Sequence, residues 1–172
     1  YDNLIKNSGA ELIRGWASIV DAHTVEVDGQ QYTAKHILVA PGGWPMVPEV
    51  PGKEHIITSN EVFDLEPFPK RFLIVGGGYI ACEFASIFNS LGSEVALVYR
   101  RDQVLRGFDQ DVRQHISDEI IKAGIDLRVN TEVSAIEKVG DTLKVTLSTN
   151  EVVEVDAVMY ATGRVPRVEG LG

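Results

Sequence analysis

The sequence predicts an α/β fold in which a parallel sheet is followed by a three-stranded antiparallel β-meander. Short apolar runs that suit buried strands alternate with helical patterns between residues 71 and 130, which indicates a β-α-β-α-β order with right-handed crossovers. Three runs between residues 132 and 156 alternate apolar and polar residues, as antiparallel strands do. A last apolar run at 157–164 predicts one more buried strand.

The composition excludes several classes of function. The chain has 172 residues and a formal charge of −9, which argues against a general nucleic-acid or anionic-membrane binder. Cys82 is the only cysteine, no signal peptide opens the chain, and no apolar run approaches the roughly 18–20 residues of a membrane span. We therefore expect a cytoplasmic protein without a membrane partner. The four histidines lack ligand spacing, so no metal site is expected.

Residues 1–44 are predicted to form a β-rich segment before the main domain. A helix end at 2–8 precedes three β-like runs, of which two are joined by a hairpin turn at Asp28–Gly29. The continuous apolar run at 36–40 predicts a strand covered on both faces. The prolines and glycines of residues 41–52 then mark a domain boundary.

The elements of the main domain follow in order. Helices are predicted at 58–65, 79–92 and 109–124, and strands at 71–76, 94–100 and 125–130. Thr58 or Ser59 would cap the first helix and Asp109 the third. Gly92 and Gly124 supply the stops of the second and third helices.

A glycine cluster stands between the first predicted strand of this domain and its helix. It fits the pattern G-x-G-x-x-A with Gly76, Gly77, Gly78, Tyr79, Ile80 and Ala81. Such clusters also occur in ordinary turns, but the strand before and the helix and strand after are what a Rossmann-like dinucleotide-binding domain requires. Gly76 would permit the tight turn, Gly78 the approach of a pyrophosphate to the helix N-terminus, and Ala81 close helix–strand packing.

The end of the next strand decides between the two nicotinamide dinucleotides. An NAD site would place an acidic residue there for the ribose hydroxyls, but the sequence reads Tyr99-Arg100-Arg101, with Arg106 beyond. Because a guanidinium suits a phosphate dianion, Arg100 and Arg106 favour the 2′-phosphate of NADP. The nearby Asp102 keeps NAD open as the alternative.

The helix after the glycines has two faces. Its apolar residues recur at helical spacing and indicate a core face, with Cys82 as a buried filler. Tyr79 and Glu83 lie four residues apart and share the other face at the ligand end of the helix. A solvated carboxylate that interacts only with the helix dipole is the alternative for Glu83.

These motifs together resemble the glutathione reductase family of FAD-dependent disulfide oxidoreductases. The resemblance rests on "VGGGYIACEFASIFNSLGSEV", "YRRDQVLRGFD" and "ATGRVP", and on the upstream "ILVAPGGWPMVPEVPGKEHIITSNEVF". It implies that residues 1–44 are the C-terminal part of an FAD-binding domain. It further implies that 45–163 bind NADPH and that 164–172 return toward the FAD domain.

The resemblance also implies roles for single residues. Tyr79 would be the gate over the flavin, Gly77, Ile80 and Glu83 would contact the nicotinamide half, and Arg100 and Arg106 the 2′-phosphate. Gly163 would touch the cofactor and Arg164 would approach the flavin. The chain departs from the family at Ala40-Pro41-Gly42, where a threonine contact is lost, and at Arg167, where the family has asparagine.

The family's redox cysteines, its first FAD-binding glycine motif and its C-terminal interface domain are absent from these residues. We therefore expect a piece of a longer, homodimeric parent that passes electrons from NADPH through FAD and a redox disulfide to glutathione disulfide. By itself the piece should be inactive. Two alternatives remain: a non-catalytic NADP(H)-binding module, and a related enzyme resembling trypanothione reductase or lipoamide dehydrogenase.

Overall fold

A computed structural model describes all residues, 1–172, and divides into two compact units. Unit 1 comprises residues 1–43 and 166–172, and unit 2 comprises residues 44–165. None of the helices in the chain is both long enough and apolar enough to span a lipid bilayer.

Unit 1 contains one short helix, α1 (Asp2–Asn7), and a three-stranded antiparallel sheet. The strands are β1 (Ala17–Asp21), β2 (Thr24–Val27) and β3 (Gln30–Thr33), paired in that order. Asp28 and Gly29 join the last two with φ angles of 49° and 84°. Positive φ at both loop positions is the geometry that an Asp-Gly hairpin turn favours, so the predicted turn is confirmed.

One strand prediction in this unit is wrong and another is too long. Residues 36–40 form no strand, and Leu38 within them is 91% exposed. The sheet of unit 1 consists of β1, β2 and β3, and this run does not pair with it. The first of the three β-like runs, residues 11–20, becomes a strand only from Ala17 onward, where it pairs with β2.

Unit 2 is built on a five-stranded parallel sheet, which confirms the predicted fold class. Its strands in spatial order are β5 (Ile56–Ile57), β12 (Ala157–Tyr160), β6 (Arg71–Val75), β7 (Glu94–Val98) and β8 (Asp126–Arg128). The meander consists of β9 (Val133–Val139), β10 (Thr142–Leu147) and β11 (Val152–Val155). A separate two-stranded ladder joins β4 (Gly43–Pro45) and β13 (Arg164–Pro166).

Each face of the parallel sheet packs against a different layer. Phe72 and Ile74 point to the helices α2 (Tyr79–Ser90) and α3 (Gln110–Lys122), while Leu73 and Val75 point to the meander. Strand residues alternate between faces, so a continuous apolar run supplies both cores. Packing on both faces of the parallel sheet fixes the positions of its strand ends, and the site is built from those ends.

The helix boundaries follow the predicted signals except in one place. Asp109 Oδ1 accepts a hydrogen bond from the Asp111 amide at 2.9 Å and so caps α3. The helix predicted at 58–65 is instead a 3-10 turn at Val62–Asp64, preceded by another at Lys53–His55. The Glu61 carboxylate accepts bonds from Thr58 N and Oγ1, both at 2.7 Å, which closes a local turn. Pro67 disfavours helical backbone at the residue before it, so the segment between Thr58 and Pro67 is too short for a full α-helix.

Candidate dinucleotide site

A cleft of about 740 Å³ lies in unit 2 where the parallel strands end. Its walls include Gly76 after β6, Tyr99 after β7 and Ala161 after β12. Ligands of open α/β folds bind outside the carboxyl ends of the strands. The cleft therefore lies where a dinucleotide would be expected.

The three glycines at the cleft have different surroundings. A Cβ on Gly76, where φ is +143°, would collide with the carbonyl oxygen of Ala161. A Cβ on Gly77 would lie 2.5 Å from three ring carbons of Tyr99, whereas one on Gly78 would meet nothing within 4 Å. The first two glycines are thus required by the fold, and the third leaves open space in front of the helix.

The N-terminus of α2 opens onto this space. Gly78 is its N-cap residue, no side chain caps it, and its first turn contains no acidic residue. The first N–H groups of a helix have no intrahelical partner and carry partial positive charge. The turn and helix therefore fit a pyrophosphate, which accepts hydrogen bonds from such groups.

Four arginines line the same cleft, and three of them lie in the segment between β7 and α3. Arg100, Arg101 and Arg106 are exposed, and none of their guanidinium groups forms a salt bridge. By contrast, Arg71 and Arg128 each pair with two carboxylates. Because the chain carries a net charge of −9, three unpaired cations at one cleft are a marked local excess and fit an anionic group such as a phosphate.

Hydrogen bonds and buried side chains hold the segment that carries these arginines in place. Leu105 N donates to Gly77 O at 2.6 Å, and the side chains of Val104 and Leu105 are buried. Arg113 Nε of α3 donates to Val104 O at 3.0 Å. The segment thus turns back toward the glycines and brings Arg106 to the cleft that Arg100 lines.

The cleft collects most of the residues that the sequence singled out, but not all of them. Tyr79 is 56% exposed at the start of α2, and Ile80 beside it is half-buried; both line the cleft. Ala81 is fully buried beneath the turn. Glu83 is exposed one helical turn further along and is not part of the cleft wall.

Gly163 and Arg164 line the cleft near β12. Gly163 has a φ of +147°, and its carbonyl accepts a bond from Met46 N at 3.0 Å. Thr162 Oγ1 donates to Met46 O at 3.0 Å, so two bonds hold this loop. Arg164 Nη1 lies 3.4 Å from Ser59 Oγ.

Several residues of the cleft wall carry no assigned role in the sequence-based prediction. They include Arg101, Thr131, Glu132, Ser148 and Tyr160. Burial, and then the carboxylate of Glu132, raises the pKa of Tyr160 to about 12, so its phenol stays neutral at physiological pH. Thr131 and Tyr160 lie at or just after the ends of β8 and β12, so the strand-end rule could have identified them. No local signal marks Glu132 or Ser148.

The parallel sheet, the glycine turn opening onto a helix N-terminus and the strand-end cleft define a Rossmann-like dinucleotide-binding domain. Comparison with known families is more specific: the model for "pyridine nucleotide-disulphide oxidoreductase" matches residues 1–172. The chain therefore belongs to the pyridine nucleotide-disulphide oxidoreductase family, and the predicted resemblance is confirmed.

Individual relatives agree with this assignment. The chain is 49% identical over its whole length to a glutathione reductase of Burkholderia cepacia, of which it covers 38%. It is 40% identical to a trypanothione reductase of Trypanosoma congolense over 97% of this chain and 37% of that protein. Among solved structures, the HOCl-induced flavoprotein disulfide reductase RclA from Escherichia coli matches with a TM-score of 0.85 and 27% identity, over 99% of this chain and 40% of that one. The chain thus spans less than half the length of each.

Proposed function

We propose that unit 2 is the NADPH-binding domain of a glutathione reductase-like flavoenzyme. One observation carries the proposal: three unpaired arginines and the free N-terminus of α2 line a single cleft. The first feature suits the 2′-phosphate that distinguishes NADPH from NADH, and the second suits the pyrophosphate that both share. The cofactor choice thus follows from the chain's own groups.

Each part of the cleft has a role under this proposal. Gly78 and the first turn of α2 bind the pyrophosphate, and Arg100 and Arg106 bind the 2′-phosphate. Tyr79 and Ile80 stand at the nicotinamide end, with Gly163 and Arg164 on the facing loop. Glu83 lies outside the residues that line the cleft, so a contact with the nicotinamide requires its side chain to turn toward the cleft. The protein supplies position and electrostatics, while the redox chemistry belongs to the cofactors.

The substrate proposal rests on the relatives. Proteins from Burkholderia cepacia, a Nostoc strain and Pisum sativum that are 46–49% identical to this chain are named glutathione reductase. Family members of this kind use FAD and NADPH. We infer that the full-length parent reduces glutathione disulfide, receiving hydride from NADPH and passing electrons through FAD. A homodimeric, cytoplasmic parent completes the proposal, and sedimentation of the full-length enzyme tests its dimeric state.

A calorimetric titration of the chain with NADPH and with NADH tests the cofactor assignment. Charge-assisted hydrogen bonds contribute about 1.5–3 kcal/mol each, so Arg100→Ala with Arg106→Ala should weaken NADPH binding by at least about a hundredfold. NADH binding should change little. A control with Arg14→Ala and Lys138→Ala changes the net charge equally at exposed sites outside the cleft. Equal affinities of the unmodified chain for both dinucleotides would refute the proposal.

A non-catalytic NADP(H)-binding module is the second candidate, and it applies to these 172 residues taken by themselves. Cys82 is the only cysteine of the 172 residues and is 8% exposed. Burial, and then the carboxylate of Glu83, raises its thiol pKa to about 11, so it is a poor redox group. Disulfide turnover by a full-length protein that supplies a cysteine pair would exclude this candidate.

A further inference from the structure

The ring of Tyr99 lies against the glycine turn. A Cβ on Gly77 would lie 2.5 Å from Cδ1, Cδ2 and Cε1 of Tyr99, so the face of the ring covers the Gly77 Cα. The backbone of Tyr99 is held as well: its N–H donates to Arg128 O at 2.9 Å, and its carbonyl accepts from Thr131 N at 3.0 Å. The backbone from which the ring projects is therefore held on both sides, and the ring itself lies against the turn.

Gly77 is also the point at which the arginine segment is attached. Its carbonyl accepts the 2.6 Å hydrogen bond from Leu105 N, one residue before Arg106. Tyr99 immediately precedes Arg100. The two arginines thus begin and end a loop that contacts Gly77 twice, through the ring of Tyr99 and through the amide of Leu105.

We propose that Tyr99 is a positioning residue that sets the separation between the pyrophosphate-binding turn and the 2′-phosphate-binding arginines. The proposal rests on the proposed function. The ring packs against Gly77 and keeps the turn at a fixed distance from β7. The hydrogen bond from Leu105 N to Gly77 O then holds the arginine loop at a fixed distance from the same turn. Without the ring, the turn still presents its N–H groups to a pyrophosphate. The arginines, however, no longer lie at the correct distance from the turn.

This role differs from simple structural support in what it predicts. General destabilisation of the cleft would weaken both dinucleotides alike. Loss of the correct distance should weaken NADPH much more than NADH, because only NADPH carries the phosphate that the arginines contact. The ratio of the two dissociation constants is therefore the informative quantity.

The test measures NADPH and NADH binding by calorimetry for the wild-type chain and for Tyr99→Ala, Tyr99→Leu and Tyr99→Phe. Tyr99→Phe keeps the ring and should retain the wild-type ratio within about twofold. Tyr99→Ala should weaken NADPH about tenfold or more, the equivalent of one lost charge-assisted contact, and NADH less than threefold. Tyr99→Leu replaces the flat ring by a similar apolar volume and should give an intermediate ratio. If the alanine variant does not fold, Tyr99→Leu replaces it in the test.

Two results would overturn the inference. Equal weakening of both dinucleotides by Tyr99→Ala or Tyr99→Leu would mean that the ring only supports the fold. Unchanged affinities for both dinucleotides would mean that the position of the arginines does not depend on the ring. If instead the wild-type chain shows no preference for NADPH, the proposed function fails before the variants are considered, so the two failures are distinguishable.

Discussion

Unit 2 encloses two apolar cores on opposite faces of its parallel sheet, whereas unit 1 buries a single hydrophobic side chain, that of Val27. In unit 2, Phe72, Leu73 and Ile74 are completely inaccessible in three successive positions. In unit 1, Leu4, Trp16 and Leu38 are each more than 60% exposed. The same chain thus contains one region held by packing and another held mainly by hairpin hydrogen bonds.

The difference shows where a precise site can be built. Groups that bind a charged ligand must be held by neighbours whose own positions are fixed by packing. The glycine turn is bonded to the packed sheet of unit 2 through Val98 O, and the arginine segment is bonded to that turn through Gly77 O. Regions with few buried contacts open at lower free energy, and within these 172 residues unit 1 is such a region.

The largest expected effect separates the two units directly. Phe72→Ala removes a fully buried ring that packs edge-on against Phe88 at 4.6 Å, and should lower the free energy of unfolding by about 3–5 kcal/mol. Leu38→Ala, at a position 91% exposed, should change it by less than about 0.5 kcal/mol. Urea unfolding followed by circular dichroism measures both. Similar losses for the two variants would contradict the comparison.

The next effect concerns the ion pair that joins β6 to the meander side of unit 2. Asp156 accepts bonds from the amides of Lys70 and Arg71 at 2.9 and 2.8 Å and from the Arg71 side chain at 2.7 Å. Asp156→Asn should therefore cost about 1.5–3 kcal/mol at pH 7. Asp141→Asn, at an exposed turn, is the matched control.

The same pair predicts a pH dependence. Burial opposes ionisation of Asp156, but the hydrogen bonds from Arg71 and Lys70 outweigh it and lower the pKa of Asp156 below its usual 3.8. Its stabilising contribution is complete above pH 3.8 and is lost as the pH falls through the lowered folded-state pKa. Thermal melts between pH 2 and 6 should thus show a shallower acid loss in Asp156→Asn than in the wild type. Parallel curves would contradict this.

A smaller effect is expected at the start of α3. Asp109→Ala leaves the Asp111 amide without its 2.9 Å acceptor and should cost about 1 kcal/mol. Asp109→Ser retains a capping oxygen and should recover most of that loss. Thermal unfolding of the two variants decides the matter, and a serine variant no more stable than the alanine variant would argue against the cap.

The last prediction leaves stability unchanged and compares thiol reactivity in the two units. Because the pKa of Cys82 is raised to about 11, its alkylation by iodoacetamide at pH 8 should be roughly a hundredfold slower than that of an ordinary thiol. A cysteine placed at the exposed position of unit 1 by Leu38→Cys serves as the reference within the same chain. Mass spectrometry of the two peptides over time measures both rates. Comparable rates would show that Cys82 is accessible and ionised.

The comparison also explains how far the sequence could predict the fold. The strands and helices of unit 2 were predictable because their burial follows local periodicity, as in residues 71–75, which feed both cores. The run at 36–40 was not, because an apolar strand needs a partner strand and periodicity does not say whether one is present. At 58–65 the T-x-x-E pattern of a helix start is present, and Glu61 does bond back to Thr58, but only a 3-10 turn follows because Pro67 stops the helix within a few residues.

Some residues of the candidate site could likewise be predicted from the sequence, and others could not. Gly76–Gly78, Arg100 and Arg106 were found because a short motif and the chemistry of a missing carboxylate point to them. Glu132 and Ser148 reach the cleft only through the path of the meander, which no local pattern encodes. The position of Glu83 outside the cleft wall depends on a side-chain direction that helical spacing alone does not fix.

The central claim, that NADPH occupies the strand-end cleft of unit 2, is tested most directly by a ¹⁵N-resolved NMR titration of the chain with NADPH and with NADH. Both ligands should shift the amides of Gly78 and Tyr79. Only NADPH should also shift the Nε–H signals of Arg100 and Arg106, and Val27 of unit 1 should not respond. Arginine signals that respond equally to both ligands, or changes concentrated in unit 1, would contradict it.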